Sequence, residues 1–322
     1  MNHLQGLDAR VASLVGDHVE TDTTLAVVVQ HRGQVVAEAY ASGNTADTTL
    51  ISWSMAKSIT HALVGMAQMD GLLDVQAPTG IAQWQNDDRR LITLQHLLEM
   101  RSGLAWIEDY VEGNESDVID MLFGSGKDDH AAHAMNHPLV NTPGSEWYYS
   151  SGTTNVVARL LGDALGDKNG ASDKTHAFIQ ERLFDAIGMS SATAQFDAAG
   201  TFVGSSYVYA TARDFAKFGE LYLRDGMCGT ARILPVGWVD HARAQTVIDA
   251  ETGQGYGAHW WTQPGEPGSL IASGYEGQQI LVLPERDLVI VRLGKTVAEK
   301  RAVVRDGLFD IAQLFEKLGR PN

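Results

Sequence analysis

The chain has 322 residues, of which 44% are hydrophobic and 20% charged, a composition typical of a globular protein with a large core. Its formal net charge of −16 and pI near 5.0 argue against nucleic acid or an anionic membrane as a partner. The single cysteine, Cys228, excludes an intrachain disulfide, and because the sequence shows no secretory signal and no apolar run of transmembrane length, we expect a cytoplasmic protein.

The first part of the chain predicts one helix and a β-hairpin. Apolar residues at helical spacing favour a helix over 6–18. Two runs rich in valine and alanine, 24–30 and 35–40, are separated by a turn that contains Gly33. This pattern predicts two antiparallel strands, followed by a polar loop.

The next stretch opens a helix that carries candidate catalytic groups. After Ser54, apolar residues recur at three- and four-residue intervals until Gly71 ends the run. Ser54 and Lys57 form a Ser-x-x-Lys motif, and residues three apart lie on one face of a helix. The lysine can take the serine proton, and N–H groups at the helix N-terminus can stabilise an oxyanion. The alternative interpretation is an ordinary N-cap serine beside an exposed lysine.

From this helix to about residue 200 the pattern is mainly helical. Residues 124–146 are rich in Gly, Asp, His and Asn and favour a loop. Tyr149 ends an aromatic run that follows a Pro-Gly turn. A phenol beside an ammonium group can serve as a base or proton shuttle, while the alternative is a core tyrosine with a satisfied hydroxyl. The expected helices are 94–100, 117–123, 152–165 and 174–187.

The last part of the chain returns to strands. Together, the strands at both ends of the chain predict an α/β (α+β) fold in which one antiparallel sheet is flanked by helices and a helical lobe is inserted. We predict a sheet domain of residues 1–52 and 200–322, a helical domain of residues 53–199, and a catalytic cleft at their junction. The expected elements are helices over 211–223, 234–244 and 298–317 and strands over 256–262, 278–283 and 288–293.

In this order, the motifs resemble those of the serine hydrolases that include class C β-lactamases, D-alanyl-D-alanine carboxypeptidases and family VIII-type esterases. The Tyr-Ser-Ser variant of one motif also resembles the 6-aminohexanoate-dimer hydrolases. The resemblance covers roughly residues 20–315 and implies a β-lactamase/transpeptidase-like fold. It rests on Ser-x-x-Lys after the hairpin, Thr-Leu-Gln-His-Leu-Leu at 93–98, Pro-Gly-x-x-x-x-Tyr-Ser-Ser at 143–151, Thr-Ala-Arg-Asp-Phe at 211–215 and a glycine-rich strand near 274.

By position, the resemblance implies roles for seven residues. Ser54 is the nucleophile, Lys57 the proton acceptor beside it, and Tyr149 the tyrosine of the family's Tyr-x-Asn motif, whose Asn is Ser151 here. The third motif, Lys-Thr-Gly or His-x-Gly in the family, falls at Ser273 and Gly274. The oxyanion hole then consists of the Ser54 N–H and one N–H near Gly274 or Tyr275.

The third motif departs from the family pattern because its cation is absent. In penicillin-recognising members that cation helps to bind the substrate carboxylate, so its absence favours a neutral ester or a short amide over a β-lactam or a D-alanyl-D-alanine peptide. The implied mechanism is acyl transfer through an acyl-enzyme, with either Lys57 or Tyr149 as the primary base. A catalytically idle protein that binds a ligand or partner is the alternative from another class.

One stretch contains residues of the metal-ligating types. His130, His133 and His137 share one face if the segment is helical, with Asp128 or Asp129 beside them. Because the segment looks like a loop, we favour a solvated loop or the rim of the cleft. We therefore predict neither a metal nor another cofactor, and a small-molecule ester or amide as the only partner.

Overall fold

The computed structural model of the protein describes residues 6–19, 22–111, 113–168 and 170–318. None of the helices in these ranges is long and apolar enough to cross a membrane. The α-helices are α1 (Leu7–Ser13), α2 (Met55–Met69), α3 (Leu94–Leu98), α4 (Asp117–Phe123), α5 (His130–Met135), α6 (Ser151–Leu165), α7 (Asp173–Ala177), α8 (Ala212–Leu223), α9 (Trp238–Arg243) and α10 (Arg301–Ala312).

The strands lie mainly at the two ends of the chain, as the sequence predicts. They are β1 (Gly16–Val19), β2 (Asp22–His31), β3 (Gln34–Tyr40), β4 (Leu50–Ile51), β5 (Thr193–Ala194), β6 (Val208–Ala210), β7 (Met227–Cys228), β8 (Ala231–Arg232), β9 (Val247–Ile248), β10 (Gly255–Tyr256), β11 (Trp261–Thr262), β12 (Leu270–Gly274), β13 (Gln278–Leu283) and β14 (Leu288–Thr296).

Nine of these strands form one antiparallel sheet within the described residues. Its order is β1-β2-β14-β13-β12-β11-β10-β9, and β3 also pairs with β2. The longest pairing joins β2 to β14, so strands from the two ends of the chain meet inside the sheet. A separate three-stranded sheet, β4-β6-β5, leads directly into the start of α2.

The two faces of the large sheet pack against different helices. Ile280 and Val291 belong to the main core, which also contains the buried residues of α2 and α8. Their chain neighbours Leu281 and Ile290 belong to a second core with α1 and α10. This alternation follows from the two-residue period of a strand, and it leaves the sheet covered on both sides.

Three local expectations were wrong. The predicted helix 6–18 ends at Ser13, and residues 16–19 form the strand β1. The predicted loop 124–146 contains α5, which begins because the Asp129 side chain accepts a hydrogen bond from the Ala132 N–H at 3.0 Å. The predicted strand 256–262 is a pair of short strands, β10 and β11, which fold back on each other. His259, between them, has a φ of 55°, a turn conformation that a continuous strand excludes.

Packing of α8 against the sheet depends on a glycine, and we predict that Gly219→Ala is destabilising. A Cβ at this position would lie 2.6 Å from Val289 Cγ1 and 3.0 Å from Ile280 Cγ2. We expect a loss of about 1–3 kcal/mol in the free energy of unfolding, measured by urea denaturation. Gly307→Ala in α10 is the matched control, because its Cβ would meet only Leu14 Cδ2 at 3.4 Å. That variant should be neutral or stabilised by up to about 1 kcal/mol, and equal losses in both would contradict the packing explanation.

Candidate active site

Ser54 lies at a strained turn at the start of α2. Trp53, which precedes it, has a φ of 43°, a conformation that is unusual for a bulky side chain and that concentrates at functional sites. The turn is held by a hydrogen bond from the Ser52 N–H to the Val208 carbonyl at 2.8 Å. The Ser54 side chain makes no capping hydrogen bond, so Ser54 does not act as an ordinary N-cap serine.

The Lys57 amine is buried directly beside Ser54. Only 2% of this residue is exposed, which excludes the alternative of a solvent-exposed lysine. Its Nζ lies 2.8 Å from Ser54 Oγ, 2.9 Å from Ser151 Oγ and 3.2 Å from the Ser205 carbonyl. Burial lowers the pKa of Lys57 to about 8, although the negative charge of Glu108 opposes that shift.

Glu108 is a member of this network that the sequence analysis missed. Its carboxylate accepts hydrogen bonds from the Ser151 hydroxyl at 2.5 Å and from the Ser151 N–H at 2.8 Å. The Trp106 indole N–H and the Tyr110 hydroxyl donate to it at 2.6 and 2.7 Å. The sequence contains only a weak indication of these contacts. Residues 106, 108 and 110 are two apart, and in an extended segment this spacing puts their side chains on the same side.

Tyr149 lies over Lys57 at the end of the segment that leads into α6. The Lys57 amine is 4.8 Å from the centre of the Tyr149 ring, within the range of a cation–π contact. The Tyr149 ring also stacks on the Trp261 ring, with centroids 5.8 Å apart, and meets the Tyr256 ring edge-on at a centroid distance of 6.1 Å. Burial first, and then the charge of Glu108, raises the pKa of Tyr149 far above its ordinary value of 10. The phenol therefore stays protonated at neutral pH.

The predicted third motif lies beside the Ser54 turn. A Cβ at Gly274, the last residue of β12, would collide with the Ser52 carbonyl, so a glycine is required for this close approach. Tyr275 meets Trp53 edge-on at 5.8 Å and stacks on Tyr110 at 4.8 Å. The structure thus joins Ser54, Lys57, Tyr149 and Ser151 in one cluster and places Gly274 and Tyr275 next to it. In the described part of the chain, no hydrogen bond links the Ser273 side chain to this cluster.

A profile of the Beta-lactamase family matches residues 12–313. The chain belongs to the Beta-lactamase family. It is 25% identical over 307 residues to the 6-aminohexanoate-dimer hydrolase of Paenarthrobacter ureafaciens, covering 90% of this chain and 77% of that protein. The family and this relative show that the chain is a hydrolase, as the sequence predicts.

Solved structures give the same family fold. A Bacillus anthracis protein assigned as a 6-aminohexanoate-dimer hydrolase has a TM-score of 0.77 and 25% identity, with 90% of this chain and 79% of that chain covered. A D-stereospecific amidohydrolase from a Streptomyces species has a TM-score of 0.63 and 17% identity, with 91% and 93% covered. The second likeness concerns the fold alone. The predicted β-lactamase/transpeptidase-like architecture of this Beta-lactamase family hydrolase is confirmed.

The buried amine predicts a stability that depends on pH. Between the folded pKa of about 8 and the ordinary value of 10.5, the unfolded chain keeps the Lys57 proton that the folded protein has released. The free energy of unfolding therefore rises with pH across this window, by about 3 kcal/mol at about 1.4 kcal/mol per pKa unit. Lys57→Met lacks this contribution, so urea denaturation at pH 8 and pH 10.5 should show wild type gaining stability relative to the variant. A constant difference would contradict the burial of the charge.

Proposed function

We propose that this hydrolase cleaves a carboxylic ester or a short amide through an acyl-enzyme on Ser54. One observation carries the proposal: a lysine amine with a pKa lowered to about 8 lies 2.8 Å from the serine hydroxyl. At pH 7 about one amine in ten is then neutral, compared with fewer than one in a thousand at the ordinary lysine pKa. A neutral amine at hydrogen-bond distance can accept the serine proton as the nucleophile attacks.

In the proposed reaction, Ser54 Oγ bonds to the substrate carbonyl carbon while its proton passes to Lys57 Nζ. The ammonium then gives this proton to the leaving alkoxide or amine as the carbonyl–leaving group bond breaks. Water, deprotonated by the same amine, attacks the acyl-enzyme, and the ammonium returns this proton to Ser54 Oγ as the acyl–oxygen bond breaks and the acid leaves. In this proposal the oxyanion of each step is stabilised by the Ser54 N–H and an N–H near Gly274, and the close approach of Gly274 to the Ser52 carbonyl supports the second assignment.

Lys57 rather than Tyr149 is the base in this proposal. A phenol whose pKa is raised far above 10 releases its proton less readily than the amine beneath it. Tyr149 then acts as a neutral hydrogen-bond donor near Ser54. Glu108 favours the ammonium that forms during attack, because its negative charge raises the pKa of Lys57.

The substrate class follows from the surroundings of the cluster. Ser273 supplies no cation at the third motif, which removes the usual partner of a β-lactam or peptide carboxylate. A cavity of about 740 Å³ lies on the far side of Glu108 from the nucleophile, and its lining includes Tyr110 and Tyr275 together with the cations Lys295 and Arg301. It offers room for a short linear chain against the stacked tyrosine rings. The P. ureafaciens relative, named for a linear amide substrate, supports this class.

Substitution of the nucleophile tests the proposed reaction. We expect Ser54→Ala to lower the turnover of p-nitrophenyl butyrate by at least about 10³-fold, because no other group can form the acyl-enzyme. A fluorophosphonate probe should label Ser54 in wild type, as located by mass spectrometry of peptides. Ser145→Ala, an exposed serine outside the cluster, should keep wild-type activity.

Two outcomes would contradict the proposal in different ways. Equal turnover by wild type and Ser54→Ala would leave a catalytically idle binding protein as the better explanation. Turnover of nitrocefin at a rate similar to that of the esters would show that the missing cation does not exclude β-lactams. A panel of short linear amides run beside the esters distinguishes the two proposed substrate classes.

The pH dependence of catalysis tests the role of the amine. Because Lys57 must be neutral to accept a proton, kcat/KM should rise with pH with a midpoint near 8. Glu108→Gln removes the charge that raises the pKa of Lys57, so its midpoint should lie below that of wild type. Asp109→Asn removes a neighbouring charge that makes no contact with the cluster, and it should leave the midpoint unchanged. An unshifted midpoint in Glu108→Gln would argue against Lys57 as the titrating base.

A further inference from the structure

We propose that Asp117, His133 and His137 form a binding site for a divalent transition metal ion such as Zn²⁺. The site lies outside the catalytic cluster, at the base of the segment that carries Glu108. It was not expected from the sequence, which led to a prediction of no metal.

The three ligands come from the start of α4, from α5 and from the segment that directly follows α5. His133 lies in α5 and His137 follows one turn later, so their rings share one face with centroids 5.3 Å apart. Asp117 is the first residue of α4, and its Oδ1 lies 3.8 Å from His137 Nε2. One potential ligand atom from each of the three residues lies within 4.8 Å of the others.

These separations suit a shared ion better than direct hydrogen bonds. At 3.8 Å the Asp117–His137 pair is too long for a hydrogen bond. Ligand atoms about 2.1 Å from a tetrahedral zinc are about 3.4 Å apart, so a small inward movement closes the site. His133 Nε2 is buried and has no hydrogen-bond partner among the described residues, a costly state that a metal ion would relieve.

The surrounding residues hold two of the ligands in place. The other oxygen of Asp117, Oδ2, accepts a hydrogen bond from the Ile107 N–H at 2.7 Å. His133 Nδ1 faces the Asp120 carboxylate at 3.9 Å, too far for a hydrogen bond, so a small movement would be needed to form the carboxylate–histidine pair found behind metal ligands. Gly126 gives the imidazole room, because a Cβ there would lie 2.7 Å from His133 Cγ.

The donor set selects the kind of ion. Two imidazole nitrogens and one carboxylate oxygen suit Zn²⁺ and similar first-row ions, whereas Ca²⁺ and Mg²⁺ prefer oxygen ligands alone. The side chains of Asp117, His133 and His137 are 21%, 16% and 18% exposed, so an ion can enter from solvent and keep a water molecule as its fourth ligand.

The structure also separates this site from the residues that the sequence grouped with it. His130 turns away, with Nδ1 3.3 Å from the Asp197 carboxylate. Asp129 caps α5 and pairs with Arg159 at 2.9 Å. Asp117 lies 16 residues before His133 and outside the stretch considered, which is why the sequence pattern pointed to the wrong carboxylate.

A bound ion at this position would stabilise the conformation of residues 106–108, the segment that contains Glu108. The Trp106 ring contacts both histidines, with centroids 5.2 Å from His137 and 6.2 Å from His133, and its N–H donates to Glu108. The Asp117 N–H also returns a hydrogen bond to the Ile107 carbonyl at 3.0 Å. The ion therefore has a structural role in this proposal, and no catalytic step passes through it.

The test is zinc binding to the purified, metal-stripped full chain, measured by isothermal titration calorimetry. We expect one Zn²⁺ per chain, and affinity lowered by at least about tenfold in His133→Gln, His137→Gln and Asp117→Asn. His176→Gln removes an exposed histidine elsewhere and should bind as wild type does. Circular dichroism of the metal-free variants shows whether each one folds.

Cobalt provides a second measurement that does not depend on any variant. Co²⁺ bound to wild type should give the intense visible absorption of a tetrahedral site with nitrogen and oxygen ligands, and added Zn²⁺ should abolish it. Absence of binding by wild type would overturn the proposal. So would binding that the three ligand substitutions leave unchanged, because the ion would then occupy another part of the surface.

Discussion

The burial of one amine is the constraint on which the site depends. Taking the Lys57 charge out of water is costly, and the lowered pKa measures that cost. Its three hydrogen-bond partners come from three separate places in the chain, Ser54 before α2, Ser151 at the start of α6, and Ser205 in the segment before β6. The amine has all three hydrogen-bond partners only when these segments are packed together, so the site depends on the tertiary structure.

The Ser205 carbonyl accepts a hydrogen bond from the Lys57 amine, and its segment is held in place by hydrogen bonds with α2 and α6. Asn155, one turn into α6, accepts a hydrogen bond from the Ser205 N–H at 3.2 Å and donates one to Ser205 Oγ at 3.1 Å. Thr60, one turn after Lys57 in α2, donates to the Gly204 carbonyl at 3.0 Å. These buried contacts hold the backbone at 204–205 so that its orientation does not depend on a ligand, which is the preorganisation that proton transfer requires.

The sequence predicts the parts of this arrangement that are local. Ser54 and Lys57 meet because a helix places residues three apart on one face, and the two strand-rich ends predict the sheet that β2 and β14 complete. Tyr149 became a candidate through its phenol chemistry, whereas Ser151 and the placing of Tyr149 beside Lys57 came only from the family resemblance. Glu108 contacts Ser151 across 43 residues, a distance at which a single sequence carries no spacing signal. The division of the chain into a sheet domain and a helical domain stays a prediction.

The directions of the hydrogen bonds complete the case for Lys57 as the base of the proposed reaction. A neutral amine has two N–H donors and one lone pair. The Ser205 carbonyl can only accept, so it takes one N–H. Ser151 gives its single proton to the Glu108 carboxylate and must therefore accept the second. In the proposed reaction, the remaining lone pair of the neutral amine is the one available to the Ser54 hydroxyl proton at 2.8 Å. Glu108 thus acts on the nucleophile through a chain of three hydrogen bonds, because its negative charge fixes which atom each proton occupies.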